Sequence, residues 1–302
     1  MSEHITHVAV YEDCVRILKN SGNKITPAFH EALEQAYLSG LICCGSRGNH
    51  IYAVPILEKA RENYGTPAYT NEIVEQVAGA VGWLLHRASD IQMKPLFKEV
   101  DQLKNPMLFE NESQMYHDAE TYREVYQGGK VSTESPYELI DESVLSNRME
   151  KNEAAGNINT DQLENVMAHY YVSEIAGNCV FTNELDDVNE FTDKLVEYSL
   201  DLYEDLRMYI RAYNNPEPYK YHGYITKFNI YNPNDELIRY VRYVQKNDRP
   251  HPEIDLNKAL STSNKQSNYA QALKRGLDYT VALSEFFEKK ISKEEVEKRC
   301  EI

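Results

Sequence analysis

Hydrophobic positions recur along most of the chain at three- and four-residue intervals, the period of an α-helix that turns one face to a core. Ile5, Val8, Val15 and Leu18 form a first short stripe. Thr26-Pro27 pairs an N-cap residue with a proline at the first helical position, and opens a segment with Phe29, Ala32, Leu33, Ala36 and Tyr37 on one face. After the break at Tyr64-Gly65-Thr66-Pro67, Thr70 starts a strongly apolar helix through Val74, Val77, Val81, Leu84, Leu85 and Ala88. Its end is expected near Lys94-Pro95, because proline lacks a donor and disfavours helix in the residue before it. Further helices are expected at about 111–127, ending at Gly128-Gly129, and from the Thr160-Asp161 cap to about Gly177. The clearest stripe runs through 187–213, with Val188, Phe191, Leu195, Leu202, Leu206, Tyr209 and Tyr213, until Asn214-Asn215-Pro216 stops it. Ala270, Leu273, Leu277, Val281 and Phe287 repeat the pattern near the C-terminus.

Two segments depart from this pattern. The acidic stretch 128–160 is weakly periodic and reads as a long loop or insert. The tyrosine-rich stretch 219–249 places Phe228 and Ile230 before Asn232-Pro233-Asn234-Asp235 and an apolar run from Ile238 to Val244 after it. That arrangement fits a β-hairpin or a turn capping a helix, and a small hairpin over about 222–246 is the expectation. The class is all-α: a multi-helix bundle with a helical core domain over 1–215 and a C-terminal elaboration over 216–302 that ends in a helix.

Composition narrows the function. A chain of 302 residues can bury a core without disulfides or a structural metal. No apolar run approaches the length of a transmembrane helix. The N-terminal stretch MSEHITHVAVYEDCV carries acidic residues and lacks the apolar centre of a secretory signal, so a cytoplasmic location is expected. Five scattered cysteines without a CxxC agree with reduced thiols. The formal charge of −16, with no basic run longer than a dipeptide, argues against duplex nucleic acid and against an anionic membrane surface as partners. A homo-oligomer is compatible with the composition. An acidic protein can still act on phosphate esters when a bound cation supplies local positive charge.

One helix carries residues suited to such a cation. His86 and Asp90 lie four apart, hence about 6 Å apart on one face, where an imidazole nitrogen and a carboxylate oxygen reach a common ion. Gly79 and Gly82 precede them on the same stripe and leave room for a neighbouring helix or a ligand, and Lys94 follows one turn later. The same spacing also suits a hydrogen-bonded His–Asp pair with a purely structural role. No phosphate-binding glycine loop or dinucleotide fingerprint is present. Cys43-Cys44 sits in an apolar run and reads as buried, inert thiol.

The stretch from Gly82 to Asp90 resembles the G-x3-H-x3-D helix of the zinc-dependent phospholipase C family, whose fold is shared with trinuclear-zinc, single-strand-specific nucleases. The resemblance spans about residues 1–127. It matches His7, in Thr6-His7-Val8, to an early His, His50 to the His after an apolar helix, and His117 to the last one. It implies hydrolysis of a phosphoester, a phospholipid head group or a nucleotide, by a metal-activated water. His86, Asp90 and His50 lead the implied metal ligands, with His7 next and His117 last. Asp118 or Glu120 would act as base or orienting group, and Arg47 as a phosphate contact through its bidentate fork. Three features reduce the metal set: no Asp occurs between Gly40 and Asn49, Lys94-Pro95 stands where a further His is expected, and Thr121 replaces the acid at i+4 from His117. The expectation is one or two zinc ions, another divalent metal in their place, or a degenerate site in which the Lys94 ammonium takes over part of the role. Two alternatives stand beside the hydrolase: an inactive helical scaffold that keeps the fold, and an HD-type phosphohydrolase built on His117-Asp118 with His86 upstream and Asp141 or Asp161 downstream.

Overall fold

The structure is a computed structural model that describes residues 4–22, 24–45, 49–102, 108–127, 208 and 211–302. The expected helices over 160–177 and most of 187–213, and the acidic stretch 128–160, lie outside these residues, as does Arg47. Among the described residues every regular element is helical. In chain order they are α1 (His4–Lys19), α2 (Pro27–Gln35), α3 (Tyr37–Gly45), α4 (Ala53–Asn63), α5 (Asn71–Gln102), α6 (Glu110–Val125), the single turn α7 (Pro218–Tyr221), α8 (Glu236–Asn247), the short α9 (Leu256–Ser261), α10 (Asn268–Phe287) and α11 (Lys293–Arg299). A 3-10 turn, Asn49–Tyr52, leads into α4, and a π-turn, His222–Thr226, follows α7. No helix of the described residues is long and apolar enough to cross a membrane.

The long α5 is the axis of the bundle, and α1, α2, α3, α4 and α10 all pack on it. Its stripe Val77, Val81, Leu84, Leu85 and Ala88 is buried, together with Val8, Val15 and Leu18 of α1 and Leu273 and Leu277 of α10. The segment read as a C-terminal elaboration therefore places α10 in the same core as the first helix. Caps tie the layers together. Thr26 accepts from the Phe29 backbone N–H at 3.3 Å to start α2, while its own N–H donates to Ser284 Oγ of α10 at 2.8 Å.

The structure corrects two expectations. The hairpin over 222–246 is replaced by the π-turn and α8. Leu237, Ile238, Tyr240, Val241 and Val244 are all buried, a three- and four-residue recurrence that a strand's alternation cannot accommodate. The turn before α8 also joins helices: the Asp235 carboxylate accepts from the Ser267 N–H at 2.7 Å, at the start of α10. The second correction is the end of α5, which runs through Pro95 to Gln102. An interior proline costs about 3 kcal/mol. Beyond it, however, Phe97 and Val100 are buried, each contributing about 1.5–3 kcal/mol, and Val100 joins a satellite cluster with Leu108, Tyr116, Tyr224 and Ile225. Burial outweighs the lost hydrogen bond.

Inside the bundle sits a charge-balanced network. Arg16 donates to Asp13 at 3.0 Å and to Glu12 at 3.3 Å. Arg242 of α8 also binds Asp13, which accepts from Tyr269 Oη at 2.8 Å, and Tyr126 Oη donates to Glu12 at 3.1 Å. Two carboxylates and two guanidiniums thus fasten α1 to α6, α8 and α10.

The backbones of α3 and α5 approach closely at a pair of glycines. A Cβ on Gly82 would come within 2.0 Å of the Gly40 carbonyl oxygen and 3.0 Å of the Cys44 nitrogen, and both are backbone atoms that cannot swing away. Gly82→Ala is therefore expected to destabilise the protein by about 3 kcal/mol through overpacking. Urea unfolding of the variant measures this, and a loss below about 0.5 kcal/mol, the range of a neutral surface substitution, would contradict so close a crossing.

Candidate metal centre

Three side chains from two helices meet beside that crossing. His7 comes from the first turn of α1, and His86 and Asp90 from successive turns of α5. Together they offer two imidazole nitrogens and a carboxylate oxygen within 4.8 Å of one another. The placement of His7 depends on how α1 begins. Asp118 of α6 accepts from both the Thr6 backbone N–H and the Thr6 hydroxyl at 2.8 Å, satisfying an otherwise unpartnered N–H at the helix start. The Thr6 and Thr121 hydroxyls also meet at 3.0 Å. His7 itself is fully buried, and its carbonyl accepts from Cys44 Sγ at 3.4 Å.

The two imidazoles stack with centroids 4.3 Å apart and address different oxygens of one carboxylate. His7 Nε2 lies 3.2 Å from Asp90 Oδ1, and His86 Nε2 lies 3.3 Å from Oδ2. His86 Nδ1 is 2.8 Å from the Cys44 carbonyl oxygen. A carbonyl can only accept, so Nδ1 carries the proton. Burial, reinforced by the neighbouring His7, holds the His86 pKa below the ordinary histidine value, which favours the neutral ring. Burial pushes the Asp90 carboxyl up, but its contacts with His7 and His86 outweigh this and hold it well below the carboxylate range, hence ionised. On its far side the His86 ring sets Nε2 beside Oδ2 of this carboxylate. The carboxylate charge is met by Lys94, by a proton on an imidazole, or by a metal ion in their place.

The donor set fits an ion. The three donor atoms lie within 4.8 Å of one another, against about 3.3 Å between ligands of a tetrahedral zinc, so an ion would draw them closer together. Nδ1–H bound to a backbone carbonyl is the usual way a ligating imidazole is oriented through its far nitrogen. Two nitrogens and one carboxylate oxygen would leave a further position for water or substrate, as in hydrolytic zinc sites. Lys94 completes the surroundings, with Nζ 2.5 Å from Asp90 Oδ2.

The remaining candidates are placed elsewhere. His50 is electrostatically close to His86 and Asp90, but its Nε2 accepts from Arg87 at 3.0 Å, and burial together with that guanidinium brings its pKa down to about 4. It is outside the trio. His117 is buried against Phe97, with Nε2 3.1 Å from the Tyr224 carbonyl oxygen, so it joins α6 to the π-turn. Asp118 is engaged at the start of α1 through Thr6. Glu120 is bound to Arg123 and accepts from Tyr221 Oη at 2.9 Å, so it holds α7 rather than facing the trio. His117 and Asp118 thus engage separate partners despite being adjacent. What residue order does not disclose is the Cys44 carbonyl, a backbone atom whose role no residue type announces.

No protein-family profile, curated protein or solved structure matches the chain. The likeness to the zinc-dependent phospholipases therefore rests on the residues themselves.

The buried His117 gives a pH dependence. Burial lowers its pKa to about 4, against roughly 6.5 in an unfolded chain. Its contribution to stability is complete above pH 6.5 and is lost as pH falls towards 4, because the unfolded chain then binds the extra proton. Between pH 7 and 4.5 this amounts to about 2 kcal/mol. Denaturant midpoints measured across that range should show the decline, and His117→Gln, which can still donate to Tyr224, should reduce it by about that amount, leaving the part due to His50 and His86. An unchanged slope in the variant would remove His117 as the source.

Proposed function

We propose that this chain is a metal-dependent hydrolase of a small phosphoester, with His7, His86 and Asp90 holding one divalent ion. The reading is carried by one observation: His86, its Nδ1–H committed to the Cys44 carbonyl, presents Nε2 to the ionised Asp90 at 3.3 Å. Two imidazoles and one carboxylate favour zinc among the common ions. Such an ion would lower the pKa of a water from roughly 15.7 to about 7 and stabilise charge on phosphoryl oxygens. The protein's own residues do the rest. The Cys44 carbonyl fixes the ring of His86, the cap from Asp118 to Thr6 fixes the turn that carries His7, and Asp90 supplies the negative charge that draws the ion. The Lys94 ammonium stands at the outer side of Asp90, where an anionic oxygen of a substrate can meet it. Cytoplasmic residence is part of the same proposal, in keeping with the scattered thiols.

A second reading is favoured by the Lys94–Asp90 contact. An ammonium already on the carboxylate lets the helices pack as a scaffold that has no need of an ion, its acidic surface serving a partner.

Elemental analysis separates the two. After equilibration with zinc and removal of excess, the wild type is expected to hold about one ion per chain, and His86→Ala and Asp90→Asn under about a tenth of that, since each loses a ligand. Hydrolysis of bis(p-nitrophenyl) phosphate should fall by at least about 100-fold in Asp90→Asn. Traces of metal in the wild type that His86→Ala leaves unchanged would establish the scaffold instead.

A further inference from the structure

We infer that Lys94 is a displaceable cation: its ammonium holds Asp90 until a divalent ion enters, and then turns outward to bind the phosphoryl anion that the site receives. The inference rests on the proposed metal centre and deepens it.

The geometry puts two claimants on one atom. Lys94 Nζ is 2.5 Å from Asp90 Oδ2, and His86 Nε2 is 3.3 Å from the same oxygen. An ion that takes both His86 Nε2 and Oδ2 competes with the ammonium for the negative charge of this oxygen and repels it. The group free to move is the lysine. Its side chain is 51% exposed, against 17% for Asp90 and 0% for His7, and a long unbranched stem lets Nζ pass into water without desolvation. His86 is pinned by the Cys44 carbonyl, and His7 is buried on α1. Three fixed groups and one mobile ammonium make an exchange rather than a rearrangement.

Charge then sets where the ammonium goes. Asp90 and Lys94 together are neutral, whereas a divalent ion on Asp90 leaves the centre with one positive charge, and the ammonium adds a second. Mutual repulsion drives Nζ away from the ion, and an anion between them relieves it. A phosphoryl group, with several equivalent oxygens, can face the ion with one and the ammonium with another. Lys94 thereby weakens metal binding and strengthens anion binding, two opposite effects from a single side chain.

Titration calorimetry of the full chain with zinc tests the first effect, using the wild type, Lys94→Met and Lys94→Arg. Lys94→Met should bind zinc about tenfold more tightly, equivalent to 1.4 kcal/mol, and Lys94→Arg no more tightly than the wild type. The second effect is read from the visible spectrum of the cobalt(II)-loaded protein titrated with methylphosphonate. Affinity for this anion should fall about tenfold in Lys94→Met and be largely kept in Lys94→Arg. The side chain is half exposed, and thermal melts that match the wild type would show that folding is unaffected. Zinc binding to Lys94→Met that equals or falls below the wild type, or methylphosphonate binding that is unchanged, overturns the exchange while leaving the metal centre in place. Failure of both the wild type and Lys94→Met to take up zinc or cobalt overturns the metal reading, and the exchange with it.

Discussion

At Gly40 and Gly82 the backbones of α3 and α5 touch where any larger residue would hold them apart. The contact does more than close a gap in the core. It brings the end of α3 against α5 one turn before His86, so that the Cys44 carbonyl falls within 2.8 Å of Nδ1. That bond orients the His86 ring and leaves its Nε2 beside Asp90. Two missing side chains on α3 and α5 are thus the remote cause of the electrostatics at the centre, through a rigid path of helix backbone.

The protein treats its buried charges in two contrasting ways. Around Asp13 and Glu12 every charge has an opposite partner, with Arg16, Arg242, Tyr126 and Tyr269 converging from four helices. Such a network adds little net stability relative to apolar packing, but losing one member strands another charge, at a cost of about 3–5 kcal/mol. It fixes which helices meet. Around Asp90 the balance is left open to exchange, since one carboxylate is addressed by two imidazoles from inside and one ammonium from the solvent side. The closed network gives rigidity, while the open one, between α1 and α5, leaves a carboxylate within reach of solvent.

Much of this architecture can be read from residue order, and the failures have physical causes. The stripes of α1, α2, α5 and α10 are strong because one face of each is buried, and Thr26-Pro27 marks a helix start by local chemistry alone. Pro95 misleads because a local cost of one hydrogen bond is set against the burial of Phe97 and Val100, which only the tertiary packing reveals. Ile238 to Val244 misleads because a short apolar run has no length to separate strand from helix, and Leu237 and Tyr240 decide the matter only once their burial is known. At the centre, His86 and Asp90 are legible from their spacing, and His7 joins them only through the resemblance. His50 and His117 are equally conspicuous as residues, yet Arg87 and the Tyr224 carbonyl hold them elsewhere. Residue type identifies groups able to bind a metal, but long-range packing selects which of them come together.

The position of α1 has a consequence for how the protein is made. Asp13 of this helix is held by Tyr269, 256 residues later, and Thr26 is tied to Ser284. His7 can be set against Asp90 durably only when α10 has been synthesised and has closed over α1. Until then α1 has an apolar face uncovered, and the growing chain must be kept from aggregating.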